Sequence, residues 1–440
     1  MGMLLVPTIA KVMEVSTSAA QWTLTLNLLV GAIVTPMMGR LGDGLHKKKL
    51  LLIALACVLG GSLVAALSTT FPVLLVGRAL QGVTYGIVPV TISIARRHLD
   101  PSRQQVAISS LSVTVATGLG FGFPLTGLVA QFLDFRFAYW FAAAFALSAL
   151  VVVIVTIPRD ARVSLMHARF DYLGAALLGV GLGSLVLGIG QGPVVGWLSP
   201  LIVSLLSVST LALTAWILTA TRAANPLINV HTFRVPIIMV SHCGASALAG
   251  VIYIAISTVS IIAQAPRATG YGLELSVVAS GFVILPMSIG SFTANRLVRV
   301  ASRRFGLRPM LPAGAATIGV GGVFLCLVHD QAWELLAGMF VVGLGMGVIF
   351  AAIPVLIART VGASEVGSAV SFNQVLRTIG STVGSAIAGS IFAATMTGSI
   401  EPSGEGIEIA LVVGAVTCGV VAAMLAVAVL WGRRRGAAPS

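Results

Sequence analysis

Two arginines stand inside apolar stretches of this chain. Arg78 lies in Leu74 to Pro89, LLVGRALQGVTYGIVP, and Arg377 lies in Ser371 to Gly389, SFNQVLRTIGSTVGSAIAG. A guanidinium keeps its charge and carries five donors in a rigid fork. In apolar surroundings it can line a polar cavity, bias neighbouring titrations and help couple proton movement to cargo movement. At helical spacing Arg78, Gln81 and Tyr85 share one face, while Gly82 and Gly86 form a strip where another helix can approach closely. Asn373 and Arg377 lie one turn apart with Gln374 beside them, and Gly380, Gly384 and Ala388 form a second strip. The competing reading of both arginines is structural: hydrogen bonds to backbone carbonyls that lock helix packing.

Other chemistry is sparse. Proton coupling calls for a titratable group inside an apolar segment, yet the 13 acidic residues all fall near segment ends or between segments. His242, about six residues into its segment, is the embedded group that titrates near neutrality, against the plainer reading of a packed polar residue. Trp22, Asn27, Tyr253 and Gln264 are candidates for a cargo cavity, because apolar cavities with a few polar groups suit amphiphilic compounds. Aromatic residues near helix ends also serve as interfacial anchors. Cys57, Cys243, Cys326 and Cys418 each sit in an apolar run without CxxC spacing, so disulfide and metal roles are not expected. No phosphate-binding Gly-x4-Gly-Lys-Ser/Thr loop, paired carboxylates or nucleophile constellation is present. An enzyme is not expected, and no cofactor is needed beyond a proton gradient as energy source.

The elements that must position these residues follow from composition. Of 440 residues, 57% are hydrophobic and 9% charged, with a mean hydropathy of +1.04. A soluble domain carries about 25% charged residues. Apolar runs of this length must span a bilayer as helices of about 20 residues, since no water there satisfies the backbone. We read an all-α polytopic membrane protein of 13 complete spans plus an N-terminal fragment, Met1 to Met13, that resembles the outer half of a first helix. The formal charge of +13 does not point to nucleic acid, because it is distributed by loop. Alternate connections hold 21 basic residues against 3, which predicts a multi-pass protein of the cell membrane with the basic loops and the C-terminus in the cytoplasm. Arg159 to Asp171 is the longest charged stretch between spans, and Thr221 to Val235 reads as a polar cytoplasmic connector.

The chain also repeats. Leu335 to Phe350, LLAGMFVVGLGMGVIF, echoes Leu74 to Pro89 at a constant offset of 261, with Met339 where Arg78 stood. Two six-helix bundles with short loops leave a surplus of about two helices, and those at about 170–190 and 199–219 carry little but Leu, Val and Gly. The expected organisation is an N-terminal bundle at 1–160, two inserted helices at 161–224 and a C-terminal bundle at 225–440.

At this point the motifs become specific. The whole chain resembles the fourteen-helix drug:proton antiporters of the major facilitator superfamily. GRLGDGLHKKKLLL, from Gly39, is similar to the loop signature after the second helix, with Gly39, Leu41, Asp43 and Lys47 in place. GRALQGVTYG matches the fourth-helix motif at Arg78, Gln81 and Gly82. GLGFGFPLTG, containing Gly118, Gly122, Pro124 and Gly127, resembles the antiporter-type fifth-helix motif, and Ser371 to Gly389 is similar to the thirteenth helix. Departures are Gly44 and His46 in the loop signature, Phe123 between Gly122 and Pro124, and no Asp ahead of Val6-Pro7-Thr8-Ile9-Ala10, where the family's first helix carries one. The first helix therefore reads as truncated.

The resemblance implies a secondary active transporter for multidrug efflux, exchanging hydrophobic or cationic small molecules for protons by alternating access and conferring drug resistance. Arg78 and Arg377 would face the central cavity, and the Asp43 loop would form the cytoplasmic gate by accepting hydrogen bonds from a helix N-terminus or an arginine. A second class remains open, a truncated non-transporting relative acting as a sensor or assembly partner. The sequence is silent on cargo identity and oligomeric state.

Overall fold

The computed structural model describes residues 5–44, 46–158, 170–223, 226–228, 236–362, 365–396 and 402–436. Most of the charged stretch from Arg159 and the connector residues 229–235 lie outside the described residues. The helices are α1 (Val6–Val12), α2 (Thr17–Asp43), α3 (Lys47–Ala66), α4 (Phe71–Gln81), α5 (Ile87–His98), α6 (Pro101–Phe132), α7 (Arg136–Thr156), α8 (Tyr172–Val195) and α9 (Pro200–Ala220). They continue as α10 (Pro236–Gln264), α11 (Val277–Phe305), α12 (Met310–Leu327), α13 (Ala332–Thr360), α14 (Val366–Ala394) and α15 (Gly404–Gly436). Among the described residues, 13 helical segments are long and apolar enough to cross a membrane, which agrees with the count read from the sequence.

One expected helix is interrupted. The span from Phe71 to His98 comprises α4, a 3-10 segment over Gly82–Gly86, and α5. Gly82 and Gly86 lie in the overwound stretch, where α2 comes closest. A Cβ on Gly82 would stand 2.7 Å from the Asn27 carbonyl oxygen and from Val30, and one on Gly86 would strike Met38. Glycine permits this approach, and the tighter winding rotates the chain beyond it.

The helices sort into two compact units. The first holds residues 1–104, 128–232 and 358–375. Within it α3 packs on α4 and α7, α2 on α4, α5 and α8, and α8 on α9. Leu5, which caps the short α1, and Val6 and Ile9 within it bury against Ala20, Ala65, Leu74, Val129, Phe135 and Tyr139. Arg136 pins the start of α7 to the end of α3, donating through Nε and Nη2 to the Ser68 carbonyl, each at 3.0 Å, and pairing with Asp134 at 3.1 Å. At the other end of the same pair of helices, Lys48 Nζ donates to the Ile154 carbonyl at 2.9 Å and to that of Ile157, the α7 C-cap. Helices α8 and α9, which the sequence reading takes as inserted, belong to this unit, and Gly179 and Gly183 of α8 face Ile33 and Leu29 of α2.

The second unit holds residues 105–127, 233–357 and 376–440. Here α15 packs on α10 and α12, and α10 on α11. The sequence repeat has a structural counterpart: a Cβ on Gly343 would strike the Met287 carbonyl of α11, as one on Gly82 would meet that of Asn27 on α2. Residues 82 and 343 thus face 27 and 287, partners displaced by the same step to within one residue. Backbone contact between paired helices is what the repeated glycines have in common.

Candidate functional site

Arg78 is held from several sides within the first unit. Its Nε donates to the Thr23 carbonyl at 2.9 Å and its Nη1 to Gln81 Oε1 at 2.6 Å. Gln81 passes the chain on, donating from Nε2 to Ser62 Oγ at 2.8 Å, and Ser62 donates to the Val58 carbonyl at 2.8 Å. The guanidinium also lies 5.8 Å from the Tyr139 ring centroid. Every acceptor in this relay is neutral, so the network fixes the arginine without neutralising it. Asn27, expected in a cargo cavity, donates Nδ2 to the Arg78 carbonyl at 3.1 Å and joins α2 to α4. Tyr85 lies within the 3-10 turn, with its ring over Gly31. Trp22 is 40% exposed on α2.

Arg377 is set differently, within the second unit. Gly380 and Gly384 of α14 press against the Ser246 and Gly250 carbonyls of α10, as the small-residue strip predicts, and Ser246 Oγ donates to the Leu376 carbonyl at 2.8 Å. That contact brings Tyr253 of α10 within electrostatic reach of Arg377. The guanidinium stacks on Phe350 of α13, its central carbon 3.3 Å from the ring centroid. Buried Nε has no hydrogen-bond partner among the described residues. His242 of α10 is buried, as is Asn373 in the part of α14 that belongs to the first unit. Gln264 is exposed and bonds back to Ser260 on its own helix at 3.1 Å.

Asp43 ends α2. Its Oδ1 accepts from the Gly367 N–H at 2.6 Å and its Oδ2 from the Ser368 N–H at 2.8 Å, both in the first turn of α14. First-turn amides have no intrahelical acceptor and sit at the positive end of the helix dipole, so a carboxylate fits there. The backbones cross closely: a Cβ on Gly39 would stand 2.7 Å from the Gly367 carbonyl oxygen and would strike Ser371. Lys47 is buried beside this crossing, with Nζ donating at 2.5 Å to both the Gly42 carbonyl and Ser93 Oγ. Arg96 of α5 donates Nη2 to the Val361 carbonyl at 3.2 Å and lies near enough to Asp43 to feel its charge. Asp43, Gly39 and Lys47 thus meet at one place, while Ser93, Arg96, Gly367 and Ser368 join them unannounced.

The fifth-helix motif lies on α6. Gly127 meets the Val277–Val278 backbone of α11, and Gly281 of α11 faces Phe123 and Pro124. The Gly122 carbonyl accepts from Thr126 Oγ1 at 2.6 Å, and Gly118 faces open space. Acidic side chains among the described residues occur at helix ends or between helices. No cluster of His, Cys, Asp and Glu suited to a metal occurs among them.

The profile of the Major Facilitator Superfamily matches residues 1–266 and 245–440. The chain belongs to this superfamily of membrane transporters. A similar superfamily protein is an uncharacterized MFS-type transporter of Mycobacterium tuberculosis (strain ATCC 25618 / H37Rv), 29% identical over 386 residues, covering 86% of this chain and 54% of that protein. The chain thus spans about half the length of that relative. The multidrug resistance protein Stp of the same species (strain CDC 1551 / Oshkosh) is 24% identical over 399 residues, covering 90% of this chain and 73% of its own. The crystal structure of a human organic anion transporter, TETRAN, superposes with a TM-score of 0.64 at 15% identity, covering 96% of this chain and 88% of that one. At that identity the likeness concerns the major facilitator fold alone.

Proposed function

We propose that this superfamily member is a secondary active exporter of apolar, drug-like small molecules, driven by proton exchange and working by alternating access. The observation that carries this reading is the Asp43 latch, a carboxylate on two otherwise unpartnered amides of α14. Such a bond can be made in one conformation and released in another without disturbing either helix. Arg78 and Gln81 form the polar relay in the first unit, and His242, buried within α10, is the histidine assigned to proton coupling. The basic connections and the C-terminus are placed in the cytoplasm, so the latch closes the cytoplasmic side. Similarity to a multidrug resistance protein supports an exported cargo. The cationic cargo that the sequence suggests has little support in the site, because the described residues offer two embedded guanidiniums and no carboxylate away from a helix end.

The test is transport by the full chain in proteoliposomes with an imposed pH gradient. Efflux that follows the gradient, and is lost with Arg78→Ala, is expected. Equal flux with and without the gradient refutes proton exchange, and full activity of Arg78→Ala refutes the role of the relay.

A further inference from the structure

The two embedded arginines differ in what they lack. Arg78 has acceptors at Nε and Nη1, whereas Arg377 has its face covered by Phe350 and, among the described residues, a buried Nε without a hydrogen-bond partner and no ion pair. Arg136, by contrast, has Asp134 as an ion-pair partner at 3.1 Å. Stacking occupies the face of a guanidinium and leaves its edge, where all five N–H groups point, open to an acceptor. Arg377 is 8% exposed, so it is largely stripped of water and not sealed off. An uncompensated buried charge is strongly unfavourable, and a planar oxyanion meeting two N–H groups side by side is the partner the fork fits best. Tyr253 supplies a hydroxyl within electrostatic reach, and the Phe350 ring supplies an apolar wall.

We infer that Arg377, stacked on Phe350 and flanked by Tyr253, is a binding site for the carboxylate of an otherwise apolar molecule. This deepens the transport reading by naming the cargo as an amphiphilic carboxylate, and it rests on that reading only for the word cargo. Binding itself requires no gradient. The Phe350 face would hold the guanidinium in plane while the carboxylate takes two N–H groups and the Tyr253 hydroxyl donates to a remaining lone pair.

The experiment uses the full chain in phosphatidylcholine nanodiscs without a gradient. Benzoate, 1-naphthaleneacetate and dodecanoate are compared with 1-naphthaleneacetamide and 1-naphthylmethylammonium, by thermal unfolding and by competition against labelled 1-naphthaleneacetate. The carboxylates should raise the unfolding temperature and compete about 10- to 100-fold better than the amide or the ammonium, the range expected of hydrogen bonds to a charged group. Arg377→Met should abolish that preference, and Arg377→Lys, which keeps the charge but not the fork, should retain part of it. The assignment is overturned by a wild-type protein that none of the three carboxylates stabilises, by a preference that survives Arg377→Met, or by a response to phosphatidylglycerol alone. An unfolded Arg377→Met leaves Arg377→Lys and the wild-type ranking to decide. Binding without transport in proteoliposomes would refute the exporter reading and leave the site standing.

Discussion

The Asp43 latch makes a quantitative prediction. Replacing Asp43 by Ala removes the acceptors of the Gly367 and Ser368 amides, which at the start of α14 have no helical alternative. A hydrogen bond to a charged group contributes about 1.5–3 kcal/mol. Because Asp43 is partly exposed and one carboxylate serves both amides, the pair together is set at about 2–4 kcal/mol, below the sum of two separate bonds. At tenfold per 1.4 kcal/mol, exchange of those two amides with deuterated solvent should quicken by about 30- to 700-fold. Asp43→Asn keeps one carbonyl acceptor and no charge, so it should fall between Asp43→Ala and wild type. Amide hydrogen exchange read by mass spectrometry on peptides covering the start of α14 measures this directly, with the α13 peptides as internal reference. Exchange within about threefold of wild type in Asp43→Ala would mean that the carboxylate stabilises nothing there, and the gate assignment would fail with it.

Other outcomes follow from the same packing. Gly367→Ala should break the latch without touching a charge, since its Cβ would stand 2.5 Å from the Gly39 carbonyl oxygen and 2.7 Å from Asp43 Oδ1. Its exchange profile should match that of Asp43→Ala. Gly384→Ala forces α14 off the Gly250 carbonyl and should destabilise the protein by about 1–3 kcal/mol, seen as a lower unfolding temperature in detergent. Arg78→Lys cannot reach both Thr23 and Gln81 and should lower the unfolding temperature, by about 1–3 kcal/mol of lost polar satisfaction. Arg377→Met, in contrast, should raise the unfolding temperature of the ligand-free protein, because it removes a buried charge without a counter-ion.

Span number was legible because it depends on apolar run length, a property local to the sequence. That Gly82, Gly86, Gly380 and Gly384 are close-packing positions is legible too, since glycine at helical spacing has few other uses in apolar helices, but which helices they meet is not. Asp43 could be anticipated as a helix-terminus ligand through the resemblance, but not its partners. Gly367 and Ser368 lie more than 300 residues away, and nothing local distinguishes them from other small residues. Arg96 reads from sequence as one of the loop charges that set orientation, and its bond to Val361 joins residues 265 apart in the chain. Phe350 was hidden for the same reason, an apolar residue in an apolar helix whose importance comes from what stacks on it. The 3-10 turn was missed because Gly82–Gly86 carries no proline or polar cluster to mark a change of winding, and Tyr85 consequently lies over Gly31.

That overwound turn has a mechanical meaning. A 3-10 helix advances about 2.0 Å and 120° per residue, against about 1.5 Å and 100° for an α-helix. Over the five residues Gly82–Gly86 the difference accumulates to about 2.5 Å of length and about 100° of rotation. The span therefore behaves as two rods coupled through a quarter-turn offset, with Arg78 keyed to the rod above and Arg96 to the rod below. Relaxing the turn to regular winding would swing Arg96 away from Val361 while leaving the Arg78 relay in register. A rearrangement confined to five backbone residues could thus undo contacts at one end of the span and spare those at the other.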